Sequence, residues 1–283
     1  MVKKNCIPFI HKDIPVVFNI NDQYAKFLSV AMISILENTD EKLHFYILNN
    51  GITQKNKQKL LELQKIKPFD IDFIEISQEK LSHIPRGILS TADQVTNLRL
   101  LMASALPNLD KCILLDADLA FISDINELWE VDVTDYYMAA VIDPVDMIRD
   151  KKWTKRLPLS NEYPYFNTGV GVINLKKWRD DNVEELFLKN AVLYTQYLNF
   201  PDQDLLNLAL YKHIKYLEPR YNAMSPDVYY NNELLAQSRK RPLLIHWAGL
   251  HKPWIKGENF YMRKLFWYYA KRSPFYNEMK DLE

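Results

Sequence analysis

Asp116 and Asp118 stand one residue apart after the apolar run Cys112-Ile113-Leu114-Leu115, and Leu119-Ala120-Phe121 continues the stretch. The run is short and rich in branched residues, which reads as a buried strand. Side chains two apart on extended chain share a face. Both carboxylates are therefore expected on one face at the strand's C-terminal end. Held that close they repel unless protons or a cation lies between them, and a hard divalent metal suits oxygen ligands. A second reading stays open, with one Asp satisfied by hydrogen bonds and the other capping a turn.

The metal reading asks for a further ligand. His246 is the candidate, because it ends the short strand Leu243-Leu244-Ile245 and precedes a turn containing Gly249. A strand-end histidine can equally be a hydrogen-bonded core residue. Two carboxylates and one imidazole suit Mn2+ or Mg2+, with positions left for substrate oxygens. Lys252 can place a point charge on a phosphate, or it is a plain exposed lysine. Asn167-Thr168-Gly169 lets backbone approach a ligand closely, since glycine has no side chain; otherwise it is a small-residue turn feeding the strand that follows. Pro201-Asp202-Gln203-Asp204 opens a helix, where acidic residues suit the dipole whatever else they do. Arg99 lies among apolar neighbours and needs a buried partner, for which Asp116 is one choice. There is no Ser-His-Asp order, Walker loop or zinc spacing, and the Gly-Val-Gly at Gly169 lacks the third glycine of a dinucleotide fingerprint.

These residues need a scaffold. Strands are expected at 15–20, 43–48 and 69–76, alternating with helices at 24–36, whose N-cap is Asn21 or Asp22, and 53–65. That alternation is the signature of a parallel sheet with helices on both faces. Ligands in such sheets sit at the strands' C-terminal ends, so Asn19 to Tyr24 falls on the ligand rim. Further on, a helix is expected at 96–106, a strand at 138–142 ending at Asp143, and a strand leading to Leu175. Helices are expected at 183–197 and 201–211, and a strand at 243–246. The polar stretch 144–165 is long enough to be functional. The expectation is an α/β domain over residues 1–255. A helical, basic and aromatic extension follows over 256–283, with Phe266, Trp267, Tyr268, Tyr269, Arg263, Lys264, Lys271 and Arg272.

Lysine plus arginine and aspartate plus glutamate both number 36 in the 283 residues, which removes a global electrostatic case for nucleic acid. The two cysteines, Cys6 and Cys112, are in no metal or redox spacing, so a reducing cytoplasm is expected. The N-terminus has no sustained apolar segment, so no signal peptide is expected. No run is long and apolar enough for a transmembrane helix.

Taken together, the segments resemble the family 8 retaining glycosyltransferases of GT-A fold, and within them the bacterial lipopolysaccharide galactosyl- and glucosyltransferases. The resemblance rests on Phe18 to Tyr24, Arg99, Leu114 to Asp118, Tyr165 to Gly169 with Ile173 to Arg179, Asp202 to Asn207, and His246 to Trp254, in that order. It implies a Rossmann-like mixed, mostly parallel sheet flanked by helices. It implies a UDP-galactose or UDP-glucose donor and a glycan acceptor such as lipopolysaccharide core. Asp116, Asp118 and His246 would hold Mn2+, with Mg2+ the alternative. Tyr24 would stack on uracil, with Asn19 and Asn21 near base and ribose. Gly249, Lys252 and the Asp116-Ala117-Asp118 segment would hold the diphosphate. Arg99, Asn167, Thr168, Gly169, Asp202 and Gln203 would surround the sugar. The catalytic set would be Gln203, Asp202 and Lys252, with Gln203 beneath the anomeric carbon and substitution on one face of the sugar.

Asn21 departs from the pattern, because the best-known members carry an acidic residue there. Residues 144–165 and 219–232, the acceptor side, have no counterpart in it. The resemblance also implies a cytoplasmic enzyme, with the extension either lying on an anionic membrane or packing on the domain. Two other functions are compatible with the motifs: a self-glycosylating priming protein with a tyrosine acceptor, and a non-catalytic sugar-nucleotide-binding relative. A nucleotidyltransferase would want a glycine-rich loop after the first strand, and Asn19-Ile20-Asn21-Asp22 has no glycine.

Overall fold

A computed structural model describes residues 13–77, 95–144, 157–159, 162–229, 232–256 and 260–283. The expectations for 1–12, including Cys6, and for most of 144–165 fall outside these. Strands β1 (Ile14–Ile20), β2 (Leu43–Asn49), β3 (Asp70–Glu75), β4 (Lys111–Leu115), β6 (Met138–Ile142), β7 (Phe166–Asn174) and β8 (Ile214–Leu217) form one sheet in the order β3-β2-β1-β4-β7-β6-β8. Only β7 runs antiparallel to its neighbours β4 and β6; the other pairings are parallel. A second, three-stranded sheet has the order β5 (Leu119–Phe121), β10 (Leu244–His246), β9 (Ala223–Met224).

β1 reads as a continuous apolar run because both of its faces are covered. Val16, Phe18 and Ile20 enter one core cluster and Val17 the other. β4 does the same, Ile113 and Leu115 on one side and Cys112 and Leu114 on the other. Helix α1 (Ala25–Asn38) is buried on nearly every side. It starts where expected, behind a short 3-10 turn capped by Asn21. The expected helix at 53–65 is α2 (Gln54–Leu61), N-capped by Thr53, followed by a 3-10 turn. The helix expected at 96–106 is mostly a 3-10 segment, Thr96–Leu101, before α3 (Met102–Ala105). Among the described residues the remaining helices are α4 (Asn126–Trp129), α5 (Leu175–Asp180), α6 (Val183–Tyr194), α7 (Pro201–Leu210), α8 (Asn232–Arg239), α9 (Arg263–Ala270) and α10 (Tyr276–Met279).

Two expectations need correction. Asn167-Thr168-Gly169 is not a turn: all three residues lie inside β7, between Phe166, which pairs with Ile142 of β6, and Val170, which pairs with Leu115 of β4. Strand β4 is present but ends at Leu115, so Asp116 and Asp118 do not extend it; they lie in the bend between β4 of the large sheet and β5 of the small one.

The C-terminal extension shares the sheet's core. Phe266, Trp267, Tyr269, Phe275 and Met279 are buried in the cluster that contains α1. Ser273 bonds Ser29 at 2.6 Å, and Asn38 Nδ2 donates to the Tyr269 hydroxyl at 2.9 Å. Its basic residues find partners too: Lys271 with Glu283 at 2.7 Å and Arg272 with Glu37 at 3.3 Å. Packing thus accounts for most of these aromatics, while Tyr268 stays exposed. Among the described residues, no helix is long and apolar enough to cross a membrane.

Candidate active site

A cavity of about 420 Å3 opens where the ends of β1, β4 and β6 meet the start of β7, the first turn of α7 and the segment after β10. Asp116-Ala117-Asp118 forms one wall. Asp116 N–H donates to Gly169 O at 2.7 Å, extending the β4–β7 ladder by one step. Asp118 O accepts from Trp247 N–H at 2.9 Å, opening the β5–β10 ladder. The bend between the two sheets, not the alternation of a single strand, brings both carboxylates together.

His246, at the end of β10, completes that wall. Its Nε2 lies 3.3 Å from Asp118 Oδ1 and 3.7 Å from Asp116 Oδ2. The ring is 1% exposed, yet Nε2 has no hydrogen-bond partner. Neighbouring ligands of an octahedral cation with bonds near 2.1 Å are about 3 Å apart, so these separations suit one divalent ion. Gly169 supplies a second fit test. A Cβ there would lie 2.5 Å from Asp116 Oδ2 and 2.5 Å from His246 Cε1. The glycine is a clearance for the ligand set. It therefore sits behind Asp116 and His246, not facing the cavity.

Arg99 braces this wall from beneath. It bonds Asp116 Oδ1 at 2.6 Å, Asp202 Oδ2 at 3.2 Å and Thr168 O at 3.1 Å. Burial acts to weaken its charge, but Asp116 and Asp202 outweigh that and push its pKa up. Burial raises the Asp202 carboxyl above the ordinary range, with Arg99 pulling the other way. Asp118 goes in the opposite direction. Burial would raise it, but the charge of Lys252 outweighs this and holds it well below the usual carboxylate range. Lys252 Nζ bonds Asp118 Oδ2, and also donates to Trp247 O at 2.8 Å. Its own pKa is pushed up, burial being outweighed by Asp118.

Gln203, on the first turn of α7, is held at both ends of its amide. Oε1 accepts from Thr168 N–H at 3.1 Å, and Nε2 donates to Asp143 Oδ2 at 3.2 Å. Asp204 is different: it is fully buried and accepts from Asn199 and Phe200 N–H and from the Tyr165 hydroxyl. Of the two acids in Asp-Gln-Asp, Asp202 faces the cavity and Asp204 pins the helix start.

The far end of the cavity is lined by Asn19, Asn21 and Tyr24. Neither amide atom of Asn19 has a partner, although both are buried. Asn21 Oδ1 is used in capping, accepting from Tyr24 N–H at 3.1 Å. Tyr24 is 38% exposed and meets Trp254 edge-on, and Trp254 stacks on Phe27 at 3.7 Å between centroids. Gly249 has φ +84°, a conformation few other residues adopt. Asn167, Thr168, Ala117 and Gly249 all line the cavity with the residues above.

Sequence reasoning missed Asp143 and Asn222. Asp143 ends an apolar strand just as Asp116 does, so the same signal was present. Nothing in the sequence marks Asn222, which ends a 3-10 turn and is fully buried against His246.

Known proteins supply a frame for this arrangement. Residues 15–257 match the sequence profile of glycosyl transferase family 8. A Haemophilus influenzae protein described as a glycosyltransferase is 30% identical over 246 residues, covering 85% of this chain and 73% of that protein. The Escherichia coli lipopolysaccharide 1,2-glucosyltransferase is 28% identical over 268 residues, covering 92% and 78%. The crystal structure of the galactosyltransferase LgtC, in complex with donor and acceptor sugar analogues, superposes with TM-score 0.81 at 24% identity, covering 92% of this chain and 96% of that one. That likeness establishes the GT-A fold.

Proposed function

The chain belongs to glycosyl transferase family 8, and from that premise we propose that it transfers a galactose or glucose residue from a UDP-sugar to a hydroxyl of a cell-surface glycan such as lipopolysaccharide core. The reaction retains anomeric configuration by same-face substitution and depends on Mn2+, with Mg2+ the alternative. The observation that carries this reading is the convergence of Asp116, Asp118 and the unpartnered Nε2 of His246 on one cavity wall.

A divalent ion held by those three would supply Lewis-acid stabilisation to a diphosphate leaving group. Lys252 adds a fixed positive charge at the same end, where negative charge builds as the sugar–phosphate bond breaks. Asn19 carries one free donor and one free acceptor, which matches the edge of a uracil ring. Tyr24 offers that base a stacking face. Arg99, Asn167, Thr168, Asp202 and Gln203 are the groups within reach of the sugar.

Gln203 is a neutral amide whose oxygen and nitrogen are both engaged. It is a poor nucleophile, so a covalent glycosyl-enzyme through it is unattractive. The alternative balances without one. The anomeric carbon–phosphate oxygen bond breaks, the acceptor oxygen bonds that carbon on the same face, and its proton passes to the departing phosphate oxygen. The amide would then stabilise positive character on the ring.

The reading places the reaction in the cytoplasm. It does not need the C-terminal extension at a membrane, since Phe266, Trp267, Tyr269 and Phe275 are engaged in the core. The test is UDP release from UDP-glucose, UDP-galactose and UDP-N-acetylglucosamine with Mn2+, with and without acceptor. Mn2+-dependent release from one of the first two supports the reading, and no release from any would contradict it. Intact mass after the same incubation separates transfer to an external acceptor from self-glycosylation.

A further inference from the structure

Four buried side chains run in file behind the cation seat. Asn167 Nδ2 donates to Asp143 Oδ2 at 3.1 Å, Asn222 Nδ2 donates to Asn167 Oδ1 at 2.9 Å, and Asn222 Oδ1 meets His246 Nδ1 at 2.8 Å. Asp143, Asn167, Asn222 and His246 are each 8% exposed or less. The chemistry of the file allows only one polarity. Gly169 N–H donates to Asn167 Oδ1 at 3.0 Å, and a backbone N–H can only donate. That atom of Asn167 is therefore oxygen, and the amide nitrogen faces Asp143. The Asn222 atom facing Asn167 Oδ1 must then be nitrogen, which turns its oxygen to His246. An oxygen acceptor requires the proton on Nδ1. The neutral ring is left with its lone pair on Nε2, the atom with no partner, between Asp116 and Asp118.

We propose that Asn167 and Asn222 are positioning residues that lock His246 in its Nδ1–H tautomer, so that Nε2 is presented to the cation as a ready ligand. The claim rests on the metal reading given above. Asp143 joins the file to the reaction end of the site. Thr168 N–H pins Gln203 Oε1, so Gln203 Nε2 donates to the same Asp143 Oδ2 that receives Asn167. One carboxylate oxygen thus orients both the metal-ligand arm and the amide proposed to lie beneath the sugar. Partners of this kind behind a metal-bound histidine are typically worth about 10–100-fold in metal affinity.

The experiment compares the wild type with Asn222→Leu and Asn222→Asp. Leucine removes both bonds of Asn222, whereas aspartate gives up the bond to Asn167 but keeps an oxygen against Nδ1. The His246 tautomer is read in metal-free protein from nitrogen-15 shifts, at a pH where the ring is neutral. Mn2+ binding is read separately from the resonance of the free ion. The expected result is Nδ1–H in the wild type and in Asn222→Asp, loss of that preference in Asn222→Leu, and Mn2+ affinity about 10–100-fold weaker in Asn222→Leu alone. An Nε2–H wild-type ring overturns the proposal without any variant, even if Asn222→Leu fails to fold. Equal losses of affinity in both variants, with the tautomer unchanged, also overturn it and make Asn222 a packing residue. An Nδ1–H ring in a wild type that binds no Mn2+ leaves the lock standing and overturns the metal reading.

Discussion

Gly169→Ala is the sharpest probe of the cation seat. The added methyl would lie 2.5 Å from His246 Cε1 and 2.5 Å from Asp116 Oδ2. Ordinary carbon–carbon contact begins near 3.5 Å, so the ring must retreat by roughly 1 Å. Neither neighbour is free to do so. His246 is tied to Asn222 at 2.8 Å, and Asp116 to Arg99 at 2.6 Å, with Arg99 held in turn by Asp202 and Thr168. Overpacking of this kind costs about 1–3 kcal/mol, which for a chain of this size lowers Tm by a few degrees. A displacement of that size at two of three ligands should weaken Mn2+ binding by about 10–100-fold, the range seen when a ligand's support is lost. Gly171→Ala is the control. Its methyl would press on Met138 Cε, the end of a flexible side chain, away from the seat. It should lower Tm at most and leave Mn2+ affinity intact. Titration of Mn2+ with each variant, alongside melting curves, reads both quantities. Wild-type Mn2+ affinity in a folded Gly169→Ala protein would refute the placement of the seat.

Arg99→Leu leaves Asp116 and Asp202 facing each other without their shared cation, and stability measured in urea should fall by about 3–5 kcal/mol. Trp267→Ala removes a buried ring of the C-terminal extension, and should cost about 3–5 kcal/mol; an unchanged urea midpoint would mean that the extension is not part of the core. Asp118 makes an acid limb. Its folded-state carboxyl is held low, burial being outweighed by Lys252, so its stabilising contribution is present above the unfolded value near 3.9 and is lost as pH falls below it. The Tm gap between metal-free wild type and Asp118→Asn should therefore be largest above about pH 4 and narrow toward lower pH; a gap that widens on acidification would reverse the sign of this argument.

Much of the fold was readable because β1 and β4 carry apolar runs that only a doubly covered strand needs, and because α1 is buried on nearly every side. The short elements were not. β5 and β9 have three and two residues, too few for any period, and they exist because β10 pairs with them. That small sheet is what turns Asp118 toward His246. Strand alternation gave the right meeting of the two aspartates for the wrong reason. Asn167 to Gly169 looked like a turn because small and polar residues are common in turns; inside β7 their smallness serves clearance and their amides serve the buried relay. Asn222 was invisible, since its role depends on a histidine 24 residues away that no local pattern connects to it.

The central claim is that Asp116, Asp118 and His246 seat one cation that meets the diphosphate of a sugar nucleotide. Anomalous diffraction at the manganese edge from crystals grown with Mn2+ and UDP tests it most directly. The account predicts one peak bonded to both carboxylates, to His246 Nε2 and to diphosphate oxygens. UDP bound in the cavity with no peak at those three side chains, or with the peak elsewhere, would contradict it.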